Sequence, residues 1–212
     1  MRNDIHFLVQ WIGNSVTCKS WDQIWLNEGF ADYFLFHGVQ QVESIFKPLE
    51  MRQFEGTQVA LEFDAGPSDP LINTFKHNGE TDHSFESYFK VFNRISYQKG
   101  SSLLRMLEAI LTPAAFKKAV NEYIAAKCVN KIIRNFAQFT IQILKCGFIR
   151  ELQAADQDEL FTHFQNNAGW LPDDLTVKEV MDTWSLQNGF PLVRVTKASN
   201  KLIFLSQVRC IL

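Results

Sequence analysis

Apolar residues recur at helical spacing through most of the chain, and the interruptions mark where its elements end. From Ile24 to Val39 the positions Ile24, Phe30, Tyr33 and Phe34 follow the period of an α-helix, which would carry Glu28 and Asp32 on one face. Val42 to Phe63 continues as a second helical segment, tempered by Pro48 and Gly56. Gly66-Pro67-Ser68-Asp69-Pro70 predicts a turn, and the polar run from Lys76 to Glu86 predicts a loop. Phe92 to Leu111 predicts the next helix, its apolar face supplied by Leu103, Leu104, Met106, Leu107 and Ile110. Thr112-Pro113 stops it and opens another that runs to about Ala126, with Thr112 as N-cap and Pro113 at the first helical position.

Beyond Tyr123 the pattern is lost for a stretch. Val129 to Leu152 is rich in Ile and Phe without a clean helical or alternating period, and reads as an atypical insert such as retained intronic sequence. Helical signals resume at Asp156 to Ala168, which opens with an Asp and a Glu three residues later. Thr176-Val177-Lys178-Glu179 is a capping box that leads a helix to Gln187. After Asn188-Gly189 the period changes, and Leu192 to Thr196 and Leu202 to Ser206 predict a β-hairpin around Ala198-Ser199-Asn200. No internal repeat is present. The predicted fold class is mainly α with a short C-terminal β-hairpin.

With 212 residues and 46% hydrophobic content the chain can bury a substantial core, and nineteen Phe with five Trp make that core aromatic. A formal net charge of −2 gives no electrostatic footprint for nucleic acid. The four cysteines, Cys18, Cys128, Cys146 and Cys210, have neither C-x-x-C pairing nor metal-ligand spacing and are expected as unpaired thiols. No Asn-x-Ser/Thr acceptor occurs, and the first residues lack the apolar run of a signal peptide. The longest apolar tract, Ile132 to Ile149, is broken by Arg134, Asn135, Gln138, Gln142 and Lys145 and is not expected to span a membrane.

The densest run of motif residues is Gln10-Trp11-Ile12-Gly13-Asn14 followed by Trp25-Leu26-Asn27-Glu28-Gly29-Phe30-Ala31. A second block is Ile95-Ser96-Tyr97-Gln98-Lys99-Gly100, and a third is Val180-Met181-Asp182-Thr183-Trp184 with Gly189-Phe190-Pro191-Leu192-Val193. In that order these blocks resemble the catalytic core of the M1 family of zinc aminopeptidases. The resemblance implies the helical lobe of a thermolysin-like (gluzincin) catalytic domain, here residues 1–188 with the insert at 129–152, and the start of a β-sandwich over 189–212. It implies a peptide substrate, zinc as cofactor, Glu28 as a metal ligand, and Tyr97 as the phenol that donates to the oxyanion of the tetrahedral intermediate. Relatives include membrane-anchored ectoenzymes and cytosolic forms, so no location follows.

In the family, H-E-x-x-H stands directly before Q-W-x-G-N. Two His four residues apart share one helix face and grip Zn²⁺, with the Glu as general base on the metal-bound water. Here those positions read Ile5-His6-Phe7-Leu8-Val9. Ile5 and Val9 carry no lone pair, and His6 stands where the base belongs. Shifting the frame by one residue puts His6 and Gln10 on the ligand positions, but Gln is a poor zinc ligand and the spacing to Glu28 then departs by one. The G-A-M-E-N segment that anchors the substrate's amino group has no counterpart in the sequence. Three readings follow: an active aminopeptidase, a non-catalytic relative acting as a binding module, and a truncated gene product. The missing ligands favour an inactive chain that binds no zinc. Phe7, Leu8 and Trp11 are further expected to form an exposed apolar patch.

Overall fold

A computed structural model describes residues 12–13, 16–72, 76–77, 80–81, 89–127, 154–169, 171–172, 174–199 and 202–210. The expectations for residues 5–9, for Trp11, for Cys128 and Cys146, and for the whole of the 129–152 insert therefore lie outside the described residues. What is described is mainly α, as the hydrophobic pattern predicts, and closes on an antiparallel hairpin.

A short strand β1 (Thr17–Cys18) and a 3₁₀ turn (Trp21–Gln23) lead into α1 (Trp25–Val42). The second helical segment does not run on from it. The chain leaves the helix at Glu43, forms a 3₁₀ turn over Ser44–Phe46, turns left-handed at Lys47 (φ 47°), and restarts at α2 (Pro48–Arg52). Pro48 explains the break: it has no N–H to give and disfavours the α conformation in the residue before it, so it fits the first turn of a new helix. From α2 the rod passes through a π-helical stretch (Gln53–Gln58) into α3 (Val59–Ala65). In the polar run after it, β2 (Lys76–His77) and β3 (Glu80–Thr81) form a two-residue antiparallel ladder.

The helix expected from Phe92 starts later. The Asn93 side-chain oxygen accepts from the amides of Ile95 at 2.8 Å and Ser96 at 3.2 Å, which makes Asn93 the cap and leaves Phe92 outside. Its first turn is π-helical (Ile95–Lys99) and then becomes α4 (Gly100–Leu111). Thr112 caps α5 (Pro113–Lys127) as expected, its hydroxyl accepting from the Ala115 amide at 3.4 Å. It does so at φ 77°, an unusual backbone for a β-branched residue.

Strand β4 (Ala154–Ala155) pairs in parallel with β1, a contact the sequence pattern gives no sign of. Helices α6 (Gln157–Gln165) and α7 (Val177–Ser185) both open with complete capping boxes, at Asp156/Glu159 and Thr176/Glu179. Both end two or three residues short of the expected limits. The hairpin strands β5 (Phe190–Ser199) and β6 (Leu202–Cys210) are longer than the runs that predict them, with a bulge between Lys197 and Ser199.

The core lies where α1, α4, α5 and α6 meet. Trp25, Phe30, Leu104, Leu107, Phe161 and Phe164 are all buried to 1% exposure or less. Tyr33, Phe116 and Phe164 form a relay of rings with centroids 5.3 and 5.1 Å apart, joining α1 to α5 and α6. Cys18 and Cys210 are free thiols. Among the described residues no helix is long and apolar enough to cross a membrane.

Candidate functional site

Glu28 sits in the first turn of α1 and Tyr97 in the π-helical turn before α4. The fold brings these two expected site residues together, with the Tyr97 hydroxyl hydrogen-bonded to the Glu28 carboxylate. Two glycines make the approach possible. A Cβ on Gly29 would lie 3.0 Å from the carbonyl carbon of Gly100, and a Cβ on Gly100 would lie 3.1 Å from the Gly29 Cα. The helices therefore cross with backbone against backbone, immediately beside the glutamate and three residues from the tyrosine. Any side chain at either position would hold the two groups apart.

The pair is buried. Glu28 is 6% exposed, and burial, followed by the charge of Glu28, its hydrogen bond and the charge of Asp32, raises the pKa of Tyr97 well above that of free phenol. Tyr97 thus stays a hydrogen-bond donor, the protonation state oxyanion stabilisation needs. One turn along α1, burial raises the pKa of Asp32, opposed by a 2.6 Å hydrogen bond from the Ser101 hydroxyl and by the charge of Arg52. Both carboxylates of the helix face are therefore held by residues of the π turn and α4.

A zinc site needs three or four N, S or O donors converging on one point. Among the described residues no group of three His, Cys, Asp or Glu side chains does so. Glu28 supplies one carboxylate, already engaged by Tyr97. Cys18, which feels the Glu28 charge, has its thiol pushed up to about 11, mainly by burial, and so stays a neutral thiol. Of the positions that the family uses for zinc, the described residues hold Glu28, and Ile5, His6 and Val9 lie outside them.

The sequence model of the Peptidase family M1 domain matches residues 5–184. The chain belongs to peptidase family M1. It is 36% identical over 197 residues to glutamyl aminopeptidase of Mus musculus, covering 92% of this chain and 17% of that protein. Aminopeptidase N of Canis lupus familiaris is 32% identical over 197 residues, covering 91% of this chain and 17% of that protein. Endoplasmic reticulum aminopeptidase 1 of Rattus norvegicus is 30% identical over 196 residues, covering 88% and 19%. This M1 chain thus spans less than a fifth of the length of these relatives. Family membership implies zinc and a helical lobe of the catalytic domain, and the helices described above fit that lobe.

Two features beside the site escape the sequence pattern. In the first, Lys99 and Asp64 form an ion pair at 2.9 Å with both side chains 4% exposed. Lys99 Nζ also donates to the Gln187 carbonyl at 3.0 Å, while Asp64 accepts from the Gly189 amide at 2.9 Å and the Ser68 hydroxyl at 3.1 Å. This knot ties the π turn to α3 and to the entry into the hairpin. The one sequence hint is Lys99 itself, a cation two residues from Tyr97 at the start of an apolar helix.

In the second, the Arg52 guanidinium donates to His37 Nε2 at 3.1 Å and lies 5.6 Å from the centroid of the Tyr33 ring. Because arginine only donates, this nitrogen must carry the lone pair and the ring must be neutral. Burial and then the Arg52 charge lower the His37 pKa, against the opposing charge of Glu108. Below the unfolded value of 6.5 the unfolded chain takes up a proton that the folded chain does not, so stability falls as pH drops through that value. Urea unfolding at about pH 5.5 and 7.5 should show His37→Gln losing less stability on acidification than the parent, by up to about 1 kcal/mol. Equal losses in both proteins would show that His37 does not titrate between the two states.

Proposed function

We propose that this chain is a catalytically silent form of the M1 aminopeptidase scaffold, with residues 1–188 a partial catalytic domain and 189–212 the first strands of a β-sandwich. The observation that carries the reading is the pair of aliphatic residues, Ile5 and Val9, where the metal-binding imidazoles belong. Without them Glu28 is a lone oxygen donor, and His6 replaces the carboxylate that would take the proton from water. Loss of a general base alone typically costs about 10²–10⁴-fold in rate, and loss of the metal removes the activation of the nucleophile as well. Tyr97 is the surviving oxyanion donor, its hydroxyl resting on Glu28. A helical lobe of this kind, held as a peptide-binding module, is the function the scaffold can keep.

Metal analysis of the purified chain, alongside hydrolysis of an aminoacyl chromophore, tests this. The expected result is less than one zinc per ten chains and no turnover. The triple variant Ile5→His, His6→Glu, Val9→His should bind one zinc per chain, with Glu28→Gln in that background weakening binding about tenfold or more. Stoichiometric zinc and turnover in the unmodified chain would overturn the proposal.

A further inference from the structure

Asn188-Gly189, where the sequence pattern changes from helix to strand, is a chemically labile step in the linker between α7 and β5. In such a pair the glycine nitrogen can attack the Cγ of the asparagine, because no Cβ on the second residue stands in its way. The N–Cγ bond forms and the Cγ–Nδ2 bond breaks. The proton lost by the glycine nitrogen ends, through water, on the departing NH2, which leaves as ammonia. Water then opens the succinimide ring at either carbonyl, giving aspartate or isoaspartate.

The fold calls for both residues and holds them apart. Gly189 has φ 73°, a left-handed backbone that glycine adopts without strain. The Asn188 carboxamide bridges two elements: its Nδ2 donates to the Ser68 carbonyl at 3.1 Å and its Oδ1 accepts from Arg209 Nη2 at 3.0 Å. Arginine only donates, so the oxygen must face Arg209 and the NH2 must face Ser68. Arg209 Nε also donates to the Asn188 carbonyl at 2.6 Å. The attacking nitrogen is occupied as well, since the Gly189 N–H donates to Asp64 at 2.9 Å in a buried setting. For the ring to close, the carboxamide must leave Ser68 and Arg209 and swing onto that nitrogen, whose hydrogen must leave Asp64.

We propose that Asn188 is a site of gated deamidation: the closed joint blocks ring closure, and local opening of the joint admits a one-way conversion to aspartate and isoaspartate. Aspartate at this position still accepts from Arg209 but has no hydrogen for the Ser68 carbonyl. Isoaspartate adds a methylene to the backbone and moves the Gly189 amide off Asp64, the partner of Lys99. Either product leaves the linker less firmly tied to α3 and the π turn.

Peptide mapping by mass spectrometry, on the full chain held in neutral buffer or in urea, follows loss of the Asn188 amide. Two variants separate local from global opening. Arg209→Gln removes the clasp at an exposed position of β6, whereas Val120→Ala lowers overall stability from a buried position in α5. Conversion should be about tenfold or more slower in the folded parent than in urea. Arg209→Gln should speed it about threefold or more in buffer, and Val120→Ala should leave it within about twofold. The converted fraction, separated by anion exchange, should unfold at lower urea than the parent.

Equal rates in buffer and urea would overturn protection by the joint. Acceleration by Val120→Ala but not by Arg209→Gln would show that global unfolding alone exposes the pair, and would overturn the local gate. So would a folded Arg209→Gln chain that converts no faster than the parent. An unchanged urea midpoint in the converted fraction would overturn the loosening of the joint.

Discussion

Asp64→Ala is expected to cost about 3–5 kcal/mol of stability, the usual penalty for removing one member of a buried ion pair. The carboxylate holds Lys99, the Gly189 amide and the Ser68 hydroxyl, and alanine leaves all three without their acceptor. Lys99 would shed part of that penalty by losing its proton, since burial already lowers its pKa and the hydrogen bond and charge of Asp64 chiefly oppose the shift. Replacing both partners should therefore be milder than replacing one. In urea unfolding, Asp64→Ala/Lys99→Met should be more stable than Asp64→Ala alone, because no unpaired ammonium remains. Additive losses from the two single changes would show that the pair is not coupled. The effect should reach the site as well, because Lys99 is two residues from Tyr97 and fixes the same π turn to α3 and the hairpin entry.

Gly100→Val should cost about 3 kcal/mol, at the upper end for forcing bulk into a packed helix crossing. The nearest atoms are the Gly29 Cα at 3.1 Å and Trp25 Cε3 at 3.5 Å. One is backbone, the other belongs to a side chain with 0% exposure, and neither can step aside. The milder Gly100→Ala separates two opposing effects, since alanine gains about 1 kcal/mol of helix propensity over glycine. With backbone as the obstacle, the steric term should win and the variant should still lose stability. Separation of α1 from α4 would also loosen the Tyr97–Glu28 hydrogen bond, so the phenol should ionise at lower pH in a spectroscopic titration. A stabilised Gly100→Ala with unchanged tyrosine titration would refute the close crossing.

Local chemistry was legible in the sequence, and chemistry spread along it was not. The capping boxes at Asp156 and Thr176 are read from a side chain and its partner three residues on, and both form with the expected hydrogen bonds. Thr112 caps its helix for the same reason. The break at Glu43–Lys47 was missed because apolar spacing continues across it, although Pro48 admits only a new helix start. The π turns at Gln53–Gln58 and Ile95–Lys99 leave no mark on a pattern of period 3.6. The parallel pairing of Thr17 with Ala154 has two residues per strand, too few to alternate. At the site, the motif residues Glu28 and Tyr97 were named from resemblance, and the fold places them in one hydrogen bond. The Asp64–Lys99 knot depends on residues from three separated elements, and no local rule joins them.

The turn over Ile95–Lys99 accommodates one residue more than an α-helical turn of the same height. Deleting a single amino acid from α4, which has no such slack, would close the helix over the gap at its 3.6-residue pitch, and every side chain on the N-terminal flank would swing by about 100° relative to the rest of α4. The phenol would leave the acidic face of α1 without any change in its own identity. In this scaffold, spacing is therefore as much a part of the active-site inheritance as chemistry, and a register error in this rod would be as damaging as a lost ligand.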